Sequence, residues 1–127
     1  MKYKQYKYKF YLNMNHAIVI DGNMGEVHPH TWEITMDITS FKEGMTLFSK
    51  IEKKINTILD EYQDKFLNEV EPFTYINPTL ENVCDYLSVK IRDMLLPSGW
   101  VLLMMEMSET PSRAYIVNMV QKDDTLF

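Results

Sequence analysis

Two long stretches of regular alternation, residues 2–20 and 26–40, stand at the front of this chain, separated by Asp21-Gly22-Asn23-Met24-Gly25. Strand side chains point to opposite faces in turn, so a period of two reads as a half-buried strand. In the first stretch Tyr6, Tyr8, Phe10 and Leu12 alternate with lysines and polar residues. In the second, Trp32, Ile34, Met36 and Ile38 hold one face. The intervening Gly, Asn and Asp are turn residues, so the two stretches predict a long antiparallel hairpin. A sheet with one apolar face must be covered, and this requirement governs the reading of the rest of the chain.

The cover comes next in the sequence. Leu47, Phe48, Ile51, Ile55, Ile58, Leu59 and Tyr62 recur at three and four, which predicts an amphipathic helix from Thr46 to about Leu67, with Gly44 stopping the strand before it. Residues 73–77 read as a loop. Pro78-Thr79-Leu80-Glu81-Asn82 reads as a helix start with Thr79 as the cap. That helix runs to about Leu95, with Leu80, Val83, Cys84, Leu87 and Ile91 on one face, and Pro97-Ser98-Gly99 ends it. Trp100 to Met107 and Ala114 to Gln121 predict two more strands, joined by residues 108–112. The expectation is an α+β fold of order ββααββ: one domain over residues 1–127, with a four-stranded antiparallel sheet and two helices on one face. Its open edges invite pairing between subunits.

Charge and composition narrow the function. A net charge of −5 argues against nucleic acid as a partner, because phosphate binding needs a basic surface. The run from Lys2 to Lys9 is the solvated face of a strand. Cys84 is alone, which excludes an internal disulfide and fits a reducing compartment. No apolar run reaches the ~18 residues of a membrane span and no leader is evident, so a cytoplasmic protein is expected. Leu102-Leu103-Met104-Met105 reads as core or interface filler rather than a soft-metal site.

All 3 histidines fall close together: His16 near the end of the first stretch, His28 and His30 at the start of the second. Residues two apart on a strand share a face, so His28 and His30 point the same way and His16 is available as a third donor. Three neutral imidazoles with a fourth position left open form the ligand set of a catalytic zinc site. Pro29 between them lacks an amide donor and marks an edge or a bulge.

The element order, the isolated His, the later His-x-His, the Asn77-Pro78-Thr79-x-Glu81-Asn82 helix start and the Glu109-Thr110-Pro111 turn together resemble the 6-pyruvoyl-tetrahydropterin and 6-carboxy-tetrahydropterin synthase family, over roughly residues 8–117. The resemblance implies the tunnelling fold, in which trimers or hexamers close their sheets into a barrel with the pterin at a subunit interface. It implies that His16, His28 and His30 bind Zn2+, and that Glu109 grips the guanidine-like edge of a pterin, with Glu106 as a rival. A carboxylate taking two parallel N–H bonds orients such a ring, and zinc acidifies a C–H beside an oxygen it polarises.

The chain departs from the family at four positions. Met24 stands where the proton-abstracting cysteine belongs, and a thioether has no proton to exchange. Asp64 stands where a histidine takes part in proton transfer. Pro29 replaces a glycine, and Leu47 replaces an aspartate. Three readings follow. The enzyme is active with Glu26 and Asp64 as acid–base groups, their pKa raised by burial; or it is a pterin- or metal-binding relative without the chemistry; or the likeness is one of fold alone. Glu81 reads as a charge favourable to the helix dipole, and Asn68 and Asn82 as loop fasteners.

Overall fold

A computed structural model describes residues 4–41 and 48–120. The expected helix start at Thr46, the strand stop at Gly44, and Leu47 lie outside the described residues. The elements are β1 (Tyr6–His16), β2 (Val19–Ile20), β3 (Asn23–Met24), β4 (His28–Ser40), α1 (Phe48–Leu59), β5 (Lys65–Phe66), α2 (Leu80–Leu95), β6 (Trp100–Thr110) and β7 (Arg113–Asn118).

The long hairpin forms as the alternation requires. β1 pairs antiparallel with β4 from Tyr6↔Ile38 to His16↔His28. The turn between them is more elaborate than a plain reversal. β2 and β3 make a small hairpin of their own, with Val19 opposite Met24 and Ile20 opposite Asn23. Asp21 and Gly22 take φ of +50° and +78°. Two consecutive left-handed residues match the twist of a two-residue hairpin, and Asp-Gly is the pair that tolerates them.

Among the described residues the sheet has five strands in the order β5-β1-β4-β6-β7, with β5 parallel to β1. The expectation of a four-stranded, wholly antiparallel sheet is therefore corrected, as is the helix expected to reach Leu67. α1 stops at Leu59. The amides of Tyr62 and Gln63 both donate back to the Leu59 carbonyl, and Asp64 takes φ +59° while its amide donates to the Asn13 carbonyl at 2.7 Å. The Gln63 side chain accepts from the Asn13 amide at 2.9 Å and donates to the Tyr11 carbonyl at 2.7 Å. Unpaired groups on the open edge of β1 thus compete with another helical turn and win. Phe66 and Leu67 continue the apolar spacing but serve a strand and a 3₁₀ turn.

α2 follows the expectation closely. The Thr79 side chain accepts from the Asn82 amide at 3.1 Å, and Gly99, at φ +86°, closes the far end. β6 and β7 run on to a two-residue turn at Pro111-Ser112, tighter than the five-residue connection expected. The core lies between the apolar face of the sheet (Leu12, Trp32, Ile34, Met36, Met105) and the inner faces of the helices (Ile55, Leu59, Leu87, Ile91), all fully buried. Burying each such side chain contributes about 1.5–3 kcal/mol. The opposite face is mixed: Lys9 and Glu33 form an exposed ion pair at 2.9 Å, beside exposed Tyr11 and Ile116. No helix among the described residues is long and apolar enough to cross a membrane.

Candidate metal centre

The β1–β4 register builds the histidine cluster. His16 lies opposite His28, and Met14 opposite His30, so three imidazoles meet at the end of the hairpin. β4 gains β6 as a neighbour only from Glu33 onward. Pro29 therefore sits on an open edge, where its missing amide costs no ladder bond. One nitrogen of each ring falls within 4.8 Å of the others, and ring centroids are 4.4–4.9 Å apart.

The partners of the outer nitrogens settle the tautomers. His16 Nδ1 is 2.8 Å from the Pro78 carbonyl oxygen, and His28 Nδ1 is 3.0 Å from that of Glu26. A carbonyl only accepts, so both Nδ1 atoms carry the hydrogen and both Nε2 atoms present lone pairs. Those two Nε2 atoms face each other at 2.8 Å. Opposed lone pairs at that distance repel unless a cation lies between them. The spacing is slightly shorter than the roughly 3.3 Å between two nitrogens on a tetrahedral zinc ion with Zn–N bonds of about 2.0–2.1 Å. The donor set, with its carbonyl-oriented rings, fits a divalent metal after a shift of about half an ångström.

Burial pushes the His16 pKa below the ordinary value of 6.5, the bond to Pro78 opposes this, the neighbouring His28 and His30 lower it further, and Glu109 pulls it back. The net direction is down, so the His16 imidazole is neutral at neutral pH, the form a metal would require. Beneath the rings lies fully buried Trp32, stacked on His30 with centroids 6.1 Å apart and edge-on to His16 at 5.2 Å.

Two asparagines fix the chain just beyond His16. The Asn68 amide group accepts from the Ala17 N–H at 2.9 Å and donates to the Ala17 carbonyl at 2.8 Å. Asn77 does the same for Val19, both at 2.9 Å. Asn82 in turn donates to the Asn77 carbonyl. Asn68 and Asn82 act as loop fasteners, as the sequence suggested. Asn77 was missed there, although its place in the Asn-Pro-Thr run before a capped helix was a signal.

The cluster opens into a cleft of ≈ 590 Å³ lined by His16, His28, His30, Glu81, Glu109, Arg113 and Tyr115, with Ile18, Thr79, Leu80 and Ala114. Glu109 is thus beside the histidines. Glu81, read from sequence as a helix-end charge, also faces the cleft. Tyr115 spans its wall, its hydroxyl donating to Asp85 Oδ1 at 2.8 Å. Asp64 does not line this cleft. It lies in a neighbouring one of ≈ 670 Å³ with Asn13, Asn15, Pro29 and Thr31, which shares His30. Glu26 is exposed and contributes its backbone carbonyl to His28. Met24 is on the small hairpin at 56% exposure. Glu106 lines a separate hollow with Lys9 and Glu33. Cys84 is buried in the core, its thiol pushed up to about 12 mainly by burial.

A sheet backed by two helices, with three histidines meeting in a cleft at the end of its long hairpin, defines an α+β domain with a candidate metal centre. The 6-pyruvoyl tetrahydropterin synthase family profile matches residues 5–119, and the chain belongs to that family. Among solved structures, the Caenorhabditis elegans 6-pyruvoyl tetrahydropterin synthase is similar at 20% identity and TM-score 0.77, covering 93% of this chain and 96% of that one. An uncharacterised protein from Wolinella succinogenes matches at 14% identity and TM-score 0.72, covering 94% and 100%. A Plasmodium vivax 6-pyruvoyltetrahydropterin synthase, solved with a catalytic glutamate changed to alanine, matches at 14% and 0.68, covering 92% and 98%. At these identities the likeness is one of fold. No curated protein matches the sequence.

Proposed function

We propose that this protein is a zinc-dependent pterin-converting lyase of the 6-pyruvoyl/6-carboxy-tetrahydropterin synthase type, acting on the 6-side chain of a dihydroneopterin triphosphate. The observation that carries the reading is the meeting of His16, His28 and His30, two of them oriented by main-chain carbonyls, in a cleft that Glu109 also lines. A zinc ion would be held by these three histidines and would supply Lewis acidity toward side-chain oxygens. Glu109 accepts two parallel N–H bonds from the 2-amino-4-oxo edge of the ring and so aims the side chain at the histidines.

The base that removes the C–H proton is a carboxylate, because Met24 offers no thiol. The catalytic glutamate of the Plasmodium vivax enzyme supports this substitution in principle. The candidates here are Glu26, which approaches on the segment before His28, Asp64 in the cleft behind His30, and Glu81 within the main cleft. Among the described residues β7 has a neighbour on one side only, and pairing through it is the route by which we expect trimers or hexamers to form. A second reading, a pterin- or metal-binding relative without turnover, is favoured by the two carboxylates Glu26 and Asp64 standing off the cleft wall.

Incubation of zinc-loaded protein with dihydroneopterin triphosphate, with chromatography of the products, separates the two. A new pterin product, abolished by Glu109→Gln and by one of Glu26→Gln, Asp64→Asn or Glu81→Gln, supports the lyase. No product, with pterin binding lost in Glu109→Gln, supports the binding protein.

A further inference from the structure

We propose that Tyr115 contacts the substrate and, with Asp85, forms a proton relay that takes the hydrogen of a substrate hydroxyl; this rests on the lyase reading above. Tyr115 lies opposite Met107 on β7 and lines the histidine cleft. Asp85 lies one helical turn beyond Glu81 on α2, so helix and edge strand meet across the cleft wall. The phenol has a single hydrogen, and it is committed to Asp85 Oδ1 at 2.8 Å. What the Tyr115 oxygen has left to offer a bound molecule is its lone pairs, which only accept.

The bond to Asp85 is the main cause that raises the Tyr115 pKa above 10.0, so the phenol stays neutral at physiological pH. A neutral phenol with its proton already directed at a carboxylate can receive one proton as it hands on the other. Turning a side-chain CH–OH into C=O releases two protons, one from carbon and one from oxygen, and an electron pair. The pair passes into the C=N bond of the substrate's own dihydropterin ring, which is reduced and takes up protons from water as the side chain is oxidised. In the relay the substrate O–H bond breaks and a new Tyr115 Oη–H bond forms. The original Oη–H bond breaks and that proton goes to Asp85 Oδ1. The phenol ends as it began, and one negative charge has moved from Asp85 to the substrate oxygen, ready to become part of the new C=O as the C–H base acts. Asp85 is exposed and returns its proton to water. The relay itself moves only protons, and the side-chain oxidation it accompanies is offset by reduction of the ring within the same molecule.

The relay assigns the O–H proton to groups distinct from the C–H base, which matters in a chain without the family's thiol and imidazole. Tyr115 is the catalytic residue, and Asp85 acts through it as a positioning residue and proton sink.

The test is steady-state turnover of dihydroneopterin triphosphate by zinc-loaded Tyr115→Phe, Asp85→Asn and Asp85→Glu proteins, with zinc content and dihydroneopterin binding by fluorescence measured beside it. Loss of a general acid–base group typically costs 10²–10⁴-fold. We expect kcat to fall about 100-fold or more in Tyr115→Phe, with zinc content unchanged and binding altered less than about threefold. Asp85→Asn should show a similar loss of kcat with zinc content and binding kept, and Asp85→Glu should recover part of the rate. A Tyr115→Phe kcat within twofold of wild type overturns the relay and leaves the lyase reading standing. So does a fall in kcat matched by equal loss of binding or zinc. A wild-type protein that binds pterin and zinc but yields no product overturns both.

Discussion

Asn68→Ala should be among the most destabilising single changes near the site, although Asn68 touches no histidine. Its side chain satisfies both main-chain groups of Ala17, a residue that is fully buried. Truncation removes two hydrogen bonds and leaves one buried donor and one buried acceptor without partners. A buried group left unsatisfied costs about 1–3 kcal/mol, and some relaxation toward solvent is available, so the sum is roughly 2–4 kcal/mol. Against a typical total of about 5–15 kcal/mol this is a large fraction. For a chain of this length it corresponds to a Tm lower by roughly 8–16 °C, at about 4 °C per kcal/mol. Asn68→Asp keeps the bond from the Ala17 amide, loses the donor and sets a carboxylate against a carbonyl, so it should cost nearly as much. Urea unfolding followed by the fluorescence of Trp32 and Trp100, both buried, reads the change directly. Because Ala17 follows His16, zinc affinity should fall in parallel. A loss under about 0.5 kcal/mol for Asn68→Ala would refute the claim that this amide clamps the strand end.

Thr79→Ala removes the N-cap of α2 and should cost about 1 kcal/mol in urea unfolding. In metal-free protein, the lowered His16 pKa means the unfolded chain takes up a proton that the folded one refuses. Stability should therefore be flat above pH about 6.5 and decline as pH falls below it, because the unfolded state binds more protons there; unfolding midpoints at successive pH values check this, and a rise toward acid would contradict it. Cys84, buried with its thiol pushed up to about 12, should react with a thiol reagent only as fast as the protein unfolds, measured by labelling with and without denaturant.

Much of the frame is legible in the residues because local and long-range preferences agree. Alternation in β1 and β4 sets their register, and with it the meeting of His16 with His28. The apolar face of α2 and the Thr79 cap fix that helix nearly to the residue. What escaped has a common cause, competition decided by neighbours distant in sequence. The apolar spacing after Leu59 favours more helix, but the bare edge of β1 offers Gln63 and Asp64 better partners. The small hairpin at Asp21-Gly22 registers locally only as a turn. Asn77, Glu81 and the Tyr115–Asp85 contact acquire meaning only once α2 is packed beside the end of the hairpin and the edge strand. Glu26 and Asp64 were named from strand parity and from a matching position. Neither criterion knows where the cleft opens.

The central claim is that three imidazoles hold one divalent ion. Elemental analysis of protein purified without added metal, alongside His16→Ala, His28→Ala and His30→Ala variants, tests it most directly. The account predicts close to one zinc per chain in the wild type, with each variant losing most of it while keeping its fold by circular dichroism. Wild-type protein with no bound metal and no uptake from equimolar zinc, or variants that retain a full complement, would contradict it.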